Sequence, residues 1–201
     1  ETVNGQYLEL RDLLALEDYY RTDAHWRQER LLPVAQALAD GMGLGVTLEP
    51  EGGYTAHTLS PFYGAYWGQS ALPVEPDTLT YLTSAATDAA SMTGAEFDGR
   101  WPVYTTERFT GMDGYDVFAG GAQAVLTIES PLARTDRELI VFRDSFGSSL
   151  APLLLEGYAK VTLIDLRYVA SGILDQLVDF HGQDVLFLYS TSLLNSGMLL
   201  R

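Results

Sequence analysis

Cysteine is absent from this sequence, and that one gap excludes disulfides, thiol catalysis and thiolate metal sites together. It fits an exported chain and a cytosolic one equally well. Basic residues are scarce: 12 Lys and Arg stand against 27 Asp and Glu, a formal net charge of −15. Such a field repels phosphate backbones and anionic membrane surfaces, and no basic cluster offsets it, so no nucleic-acid partner is expected. No apolar run reaches the roughly 18 residues of a membrane span, and no signal peptide is legible. The chain begins at Glu1, so a processed or truncated chain is expected, with any export signal or anchor lying outside it. Histidine is rare too, at three residues without His-x-His or His-x-x-x-His spacing. A metal site is therefore not expected, nor is a cofactor. The Gly-rich stretches Gly41 to Gly45 and Gly120-Gly121 lack a phosphate-loop Lys-Ser/Thr or a dinucleotide fingerprint and read as turns.

What remains is ordinary for a folded protein: 47% hydrophobic and 19% charged residues over 201 positions, enough for one domain with a sizeable core. No repeat, low-complexity tract or linker divides the chain, so residues 1–201 read as a single domain. Leu8, Leu10, Leu13, Leu14 and Leu16 among acidic residues predict a short amphipathic helix over residues 6–20. A second helix carries Leu31, Leu32, Val34, Ala35 and Leu38 and stops at Gly41 and Gly43, with Pro33 disturbing its first turn. Residues 44–76 read as strands and extended loop, with alternating stretches at Tyr54 to Leu59 and Phe62 to Trp67. Over residues 77–121 a short strand is expected at Val103-Tyr104 and a turn or helix start at Tyr115 to Phe118.

The last third alternates. Strands are predicted at Leu139 to Phe142, Val161 to Leu166 and Val185 to Tyr189, with helices at Ser149 to Tyr158 and Gly172 to Phe180 between them. Strand, helix, strand, helix, strand with short connections predicts an α/β fold with a mainly parallel sheet.

Ligands of open parallel sheets bind outside the carboxyl ends of the strands. Asp144-Ser145, Asp165-Leu166-Arg167-Tyr168 and Ser190-Thr191-Ser192 fall at such ends. Ser145, between a strand and a helix, is placed as a nucleophile whose oxyanion would face free N–H groups. The alternative is that it merely caps the helix. A serine nucleophile needs a base. His181 precedes Gly182 and reads as a solvated C-terminal residue, and His57 has no adjacent acid. His25 has Asp23 two positions earlier, and on an extended segment the two side chains share a side. Asp23 could then orient the imidazole towards a serine; the competing reading is an N-cap aspartate beside a surface histidine. Aromatic residues suit sugar rings as well as cores, and Trp26 and Tyr66 are the two assigned to substrate here.

Thr22-Asp23-Ala24-His25-Trp26 resembles the T-D-H-H-W motif that names the DHHW proteins. Phe62-Tyr63-Gly64-Ala65-Tyr66 is similar to that family's aromatic-Gly segment. Ile140 to Phe146, Leu150 to Leu154 and Ile164 to Tyr168 resemble its C-terminal half. The family in turn resembles the alginate O-acetylation proteins and, more distantly, SGNH hydrolases. The resemblance implies an SGNH- or flavodoxin-like three-layer sandwich and a triad of Asp23 as orienter, His25 as base then acid, and Ser145 as nucleophile. The acid and histidine precede the serine, the reverse of ordinary SGNH enzymes. It implies an extracytoplasmic O-acetyltransferase or acetylesterase acting on a cell-surface or secreted glycan or an acetylated small molecule, with a membrane acetyl-donor protein as partner. Ala24 departs from the motif, and any role of that first histidine is lost. The SGNH glycine and asparagine blocks are not legible. Gly64, Ser192 and Asn195, with the Ser145 N–H, are the oxyanion candidates, and Arg167 is a further substrate candidate. A non-catalytic glycan-binding or assembly protein on the same fold is the alternative.

Overall fold

The computed structural model describes residues 5–70, 73–95, 97–111 and 113–196. Two sheets form. Strands β1 (Thr55–Phe62) and β2 (Asp77–Thr83) make an antiparallel pair. Strands β3 (Ser91–Gly94), β4 (Val125–Glu129), β5 (Glu138–Arg143), β6 (Lys160–Ile164) and β7 (Asp184–Leu188) make a five-stranded sheet in the order β3-β4-β6-β5-β7. The parallel pairings expected from the last third are present, β5 with β6 and β5 with β7. The β3–β4 and β4–β6 pairings are antiparallel. The fold is thus α/β with a mixed sheet, which corrects the expectation of a mainly parallel one. The strands that make it mixed come from residues 77–129, where short, weakly patterned segments hid them.

The sheet is covered on both faces, which is why β5 reads as an unbroken apolar run rather than an alternation. Leu139 and Val141 of β5 join Val161 and Leu163 of β6 in the main core, together with Val34, Ala35 and Leu38 of helix α1 (Leu32–Gly41). Ile140 and Phe142 point to the other face, where Ile164, Val169 and Leu174 cover them. Strand β7 at the sheet edge leaves Val185 and Phe187 exposed.

Several expected helices are shorter or absent. Residues 6–20 hold only 3₁₀ turns at Arg11–Leu13 and Leu16–Asp18, and Leu16 is 86% exposed. The leucine spacing there serves extended chain lying against the core, with Leu8, Leu10 and Leu14 packed inward. Phe62 to Trp67 is not one strand: β1 ends at Phe62, and helix α2 (Ala65–Ser70) begins three residues later. Helix α3 (Ala85–Ala89) follows β2, with Ser84 accepting from the Thr87 N–H as its cap. The expected Ser149 to Tyr158 helix is a one-turn α4 (Phe146–Leu150) passing into a 3₁₀ turn, Ala151–Leu154, at Pro152. The Gly172 to Phe180 helix is a 3₁₀ segment, Ser171–Gln176, and α5 (Thr191–Ser196) follows β7. Pro33 sits in the first turn of α1, where its missing N–H costs nothing. No helix among the described residues is long and apolar enough to cross a membrane.

Candidate active site

Three segments far apart in sequence meet at the carboxyl end of β5. The first is the turn between Asp18 and Arg27, closed by Arg27 N–H to the Asp18 carbonyl (2.8 Å) and Tyr20 N–H to the His25 carbonyl (3.1 Å). Asp23 and His25 stand near its tip. The buried Asp77 at the start of β2 anchors that tip, accepting from the Thr22 N–H and the Thr22 hydroxyl, both at 2.8 Å. The second segment is the Gly64-Ala65 entrance to α2. Its chain passes so close that Ala65 N–H donates to Asp23 Oδ2 at 2.9 Å, while Tyr66 N–H donates to the Thr22 carbonyl at 2.9 Å. The third is the β5–α4 junction carrying Ser145.

Within this frame Asp23 Oδ1 pairs with His25 Nδ1 and also accepts the His25 N–H at 3.0 Å. His25 Nε2 lies 2.7 Å from Ser145 Oγ, across 120 positions of sequence. Carboxylate, imidazole and hydroxyl therefore form one unbroken chain. Burial opposes ionisation of Asp23, but the His25 hydrogen bond and charge, with the N–H groups of Ala65 and His25, outweigh it and hold its carboxyl below the usual carboxylate range. Ser145 occupies the N-cap position of α4 yet makes no side-chain cap bond, because its hydroxyl faces the imidazole instead. Asp144 serves the helix start in its place: its Oδ1 accepts from Phe146 N–H at 3.1 Å, and its Oδ2 from Ser190 N–H at 2.8 Å. No hydrogen bond joins the Ser145 N–H to another described residue.

The other residues singled out from sequence are placed variously. Tyr66 is 48% exposed on α2, directly beside Asp23's neighbours. Trp26 is buried, its indole N–H committed to Ser149 Oγ at 2.9 Å and the Phe146 carbonyl at 3.2 Å, so it packs rather than presents a face. Gly64 N–H donates to Thr22 Oγ1 at 3.2 Å and is not free for an oxyanion. Arg167 is tied to Asp165 through 2.6 Å and 2.9 Å bonds and lies over the Tyr168 ring. Ser192 and Asn195 are exposed on α5, and no hydrogen bond joins either to Asp23, His25 or Ser145.

Sequence reasoning missed the residues around the imidazole. Tyr115, on the 3₁₀ turn Gly114–Val117, stacks on the His25 ring. Asp116 beside it has its carboxyl raised above the ordinary range, first by burial and then by Asp113, against the opposing charges of Arg108, His25 and Arg143. Neither carries a local motif; a tyrosine 90 positions from a histidine gives no signal before the chain folds. Arg143 is fully buried two residues before Ser145, with Nη1 on Ser148 Oγ at 3.1 Å and no hydrogen-bond partner for Nε among the described residues.

The fold and this constellation define an α/β protein with an acid–histidine–serine chain at the carboxyl end of its sheet. The chain belongs to the DHHW protein family, whose sequence model matches residues 7–164. A DHHW family protein from Eubacterium siraeum has a similar structure, with a TM-score of 0.67, 23% identity, and coverage of 86% of this chain and 58% of its own. Bacillus cereus PatB1 is similar as well, at a TM-score of 0.61 and 18% identity, over 87% of this chain. It has been solved both with a sulfonyl adduct, 61% of that chain being covered, and without, 63% being covered. The present chain thus spans about three-fifths of the length of these structures. No curated protein matches the sequence.

Proposed function

We propose that this protein is a serine acyl-ester enzyme, an O-acetyltransferase or acetylesterase, acting through Ser145, His25 and Asp23. The observation that carries the reading is the 2.7 Å approach of His25 Nε2 to Ser145 Oγ with Asp23 held on the opposite nitrogen. That is the hydrogen-bond reach a general base needs. Ser145 Oγ attacks the acetyl carbonyl carbon while its proton passes to His25 Nε2. Collapse of the tetrahedral intermediate breaks the ester C–O bond, and His25 returns the proton to the departing alkoxide. Water or a sugar hydroxyl, deprotonated by the same imidazole, then takes the acetyl group as the Ser145 Oγ–acyl bond breaks, and His25 returns that proton to Ser145 Oγ. The Ser145 N–H, which no described residue engages, is one donor available to the oxyanion. On a similar fold PatB1 takes a sulfonyl adduct, and sulfonylation requires a nucleophilic side chain, which supports the same reading here.

The substrate in this reading is an O-acetylated glycan. The exposed Tyr66, next to a Tyr63–Trp67 ring pair 4.7 Å apart, offers aromatic surface on the α2 side of the triad. The formal charge of −15 favours a neutral or cationic glycan over a polyanionic one. An extracytoplasmic location and a membrane acetyl-donor partner belong to the same proposal. The test is turnover of an acetyl-ester reporter such as 4-nitrophenyl acetate by the wild type and Ser145→Ala. Hydrolysis is expected to vanish in the variant with the thermal transition unchanged, and equal rates in both would overturn the reading.

A further inference from the structure

The Tyr115 ring lies flat on the His25 imidazole, 3.9 Å between centroids with the planes 9° apart. Phe146, following Ser145, leans on the imidazole from another direction at 4.9 Å. Tyr115 is itself immobilised: it is buried, and its hydroxyl donates to Ser149 Oγ at 2.6 Å. Burial pushes that phenol well above its ordinary range, so it stays a neutral donor. The same Ser149 Oγ accepts the Trp26 indole N–H at 2.9 Å. Ser149 lies one helical turn beyond Ser145, and Trp26 immediately follows His25. Contacts therefore run in a closed circuit from His25 through Tyr115 and Ser149 to Trp26 and back to His25.

We propose that Tyr115 is the positioning residue of the base, its ring locked by Ser149 and holding the imidazole plane so that Nε2 stays on Ser145 Oγ. This rests on the acyl-ester reading of the site. The Asp23 and Ser145 hydrogen bonds restrain the two ring nitrogens within the ring plane but resist tilting of that plane only weakly. A flat neighbour at 3.9 Å opposes that tilt. Misplacing a reacting atom by about 1 Å can cost on the order of 10²-fold in rate. The phenol face also attracts the positive charge that develops on the imidazole as it takes the serine proton.

The experiment compares wild type, Tyr115→Phe and Tyr115→Leu in two measurements. The first is kcat and KM on 4-nitrophenyl acetate. Tyr115→Leu is expected to lose about 10- to 100-fold in kcat with KM nearly unchanged, while Tyr115→Phe, which keeps the stacked face, retains most of it. The second is the NMR shift of the His25 ring protons, assigned by their loss in His25→Ala. Stacking shields these protons, so they are expected upfield in wild type and Tyr115→Phe and shifted downfield in Tyr115→Leu. Wild-type kcat in Tyr115→Leu, equal loss in Phe and Leu, or unmoved His25 protons in Leu would overturn the proposal. If Tyr115→Leu does not fold, Tyr115→Met, which also removes the aromatic face, replaces it in both measurements, with the same outcomes supporting or overturning the proposal. A wild type inactive on every ester tested would sink the acyl-ester reading, while the NMR shifts would still decide whether Tyr115 holds His25.

Discussion

Gly64 lies so close to Asp23 that a Cβ placed on it would come within 2.6 Å of Asp23 Oδ2 and 2.5 Å of the Thr22 carbonyl oxygen. The glycine lets the α2 entrance run against the acid so that Ala65 N–H can reach it. Gly64→Ala must push the two segments apart at a buried site where neither backbone can yield cheaply. The expected cost is about 1–3 kcal/mol of stability, as for other overpacked sites, and reporter turnover falls by at least about tenfold as Asp23 shifts. Chemical denaturation and the acetyl-ester rate check both.

Asp23 uses its two oxygens differently, Oδ1 for His25 and Oδ2 for Ala65 N–H. Asparagine has one oxygen and one NH₂, so in Asp23→Asn one of those faces meets a donor where it needs an acceptor. Turnover is expected to fall about 10³-fold or more while the protein stays folded. A variant within a few-fold of wild type would mean that the carboxylate does not orient the base.

Gln28 ties the small sheet to the site. Its Oε1 accepts Leu82 N–H of β2 at 2.8 Å, and its Nε2 donates to the Ser149 carbonyl at 2.7 Å. The side chain is fully buried. Gln28→Leu leaves both backbone groups without partners in a dry environment and is expected to cost about 2–5 kcal/mol, measured by urea titration. A loss below about 0.5 kcal/mol would show that water replaces the amide.

Asp116 gives a pH-dependent prediction. Its carboxyl is raised above the ordinary 3.8, first by burial and next by Asp113, with Arg108, His25 and Arg143 opposing. A raised carboxyl means the folded state holds the proton more tightly than the unfolded chain does. Wild-type stability from this group therefore falls as pH rises through 3.8 and the folded value, and the cost persists at neutral pH. Asp116→Asn is expected to raise Tm at pH 7, with the gain shrinking as the pH is brought below about 4. The same gain at both pH values would show that it does not come from the charge.

Much of the C-terminal half was readable before folding because its signals are local. The apolar run at Leu139 to Phe142 is continuous because both faces of its strand are covered. Residues 77–129 were opaque for the opposite reason: β3 and β4 are four and five residues long, and the pairing of β3 with β4 and of β4 with β6 rests on contacts across the sheet. Residues 6–20 misled because leucines spaced for a helix face also suit an extended segment lying on a core. At the site, Asp23 and His25 lie two positions apart, and Ser145 follows a strand, so all three could be named from pattern. Gly64, Ser192 and Asn195 could not be assigned the same way, because whether an N–H or amide is free depends on what the fold sets beside it.

By itself, then, the sequence determined the chemistry on offer: no thiols, an acid two residues before a histidine, and a serine at a strand-to-helix junction. Only the tertiary structure decided that His25 faces Ser145 across 120 positions, that Ala65 N–H completes Asp23, and that Tyr115 lies against the imidazole. The reason is physical. Side-chain identity and short-range spacing are written along the chain, whereas the 2.7 Å approach of two atoms is set by how β2, α2 and β5 pack around one end of a sheet.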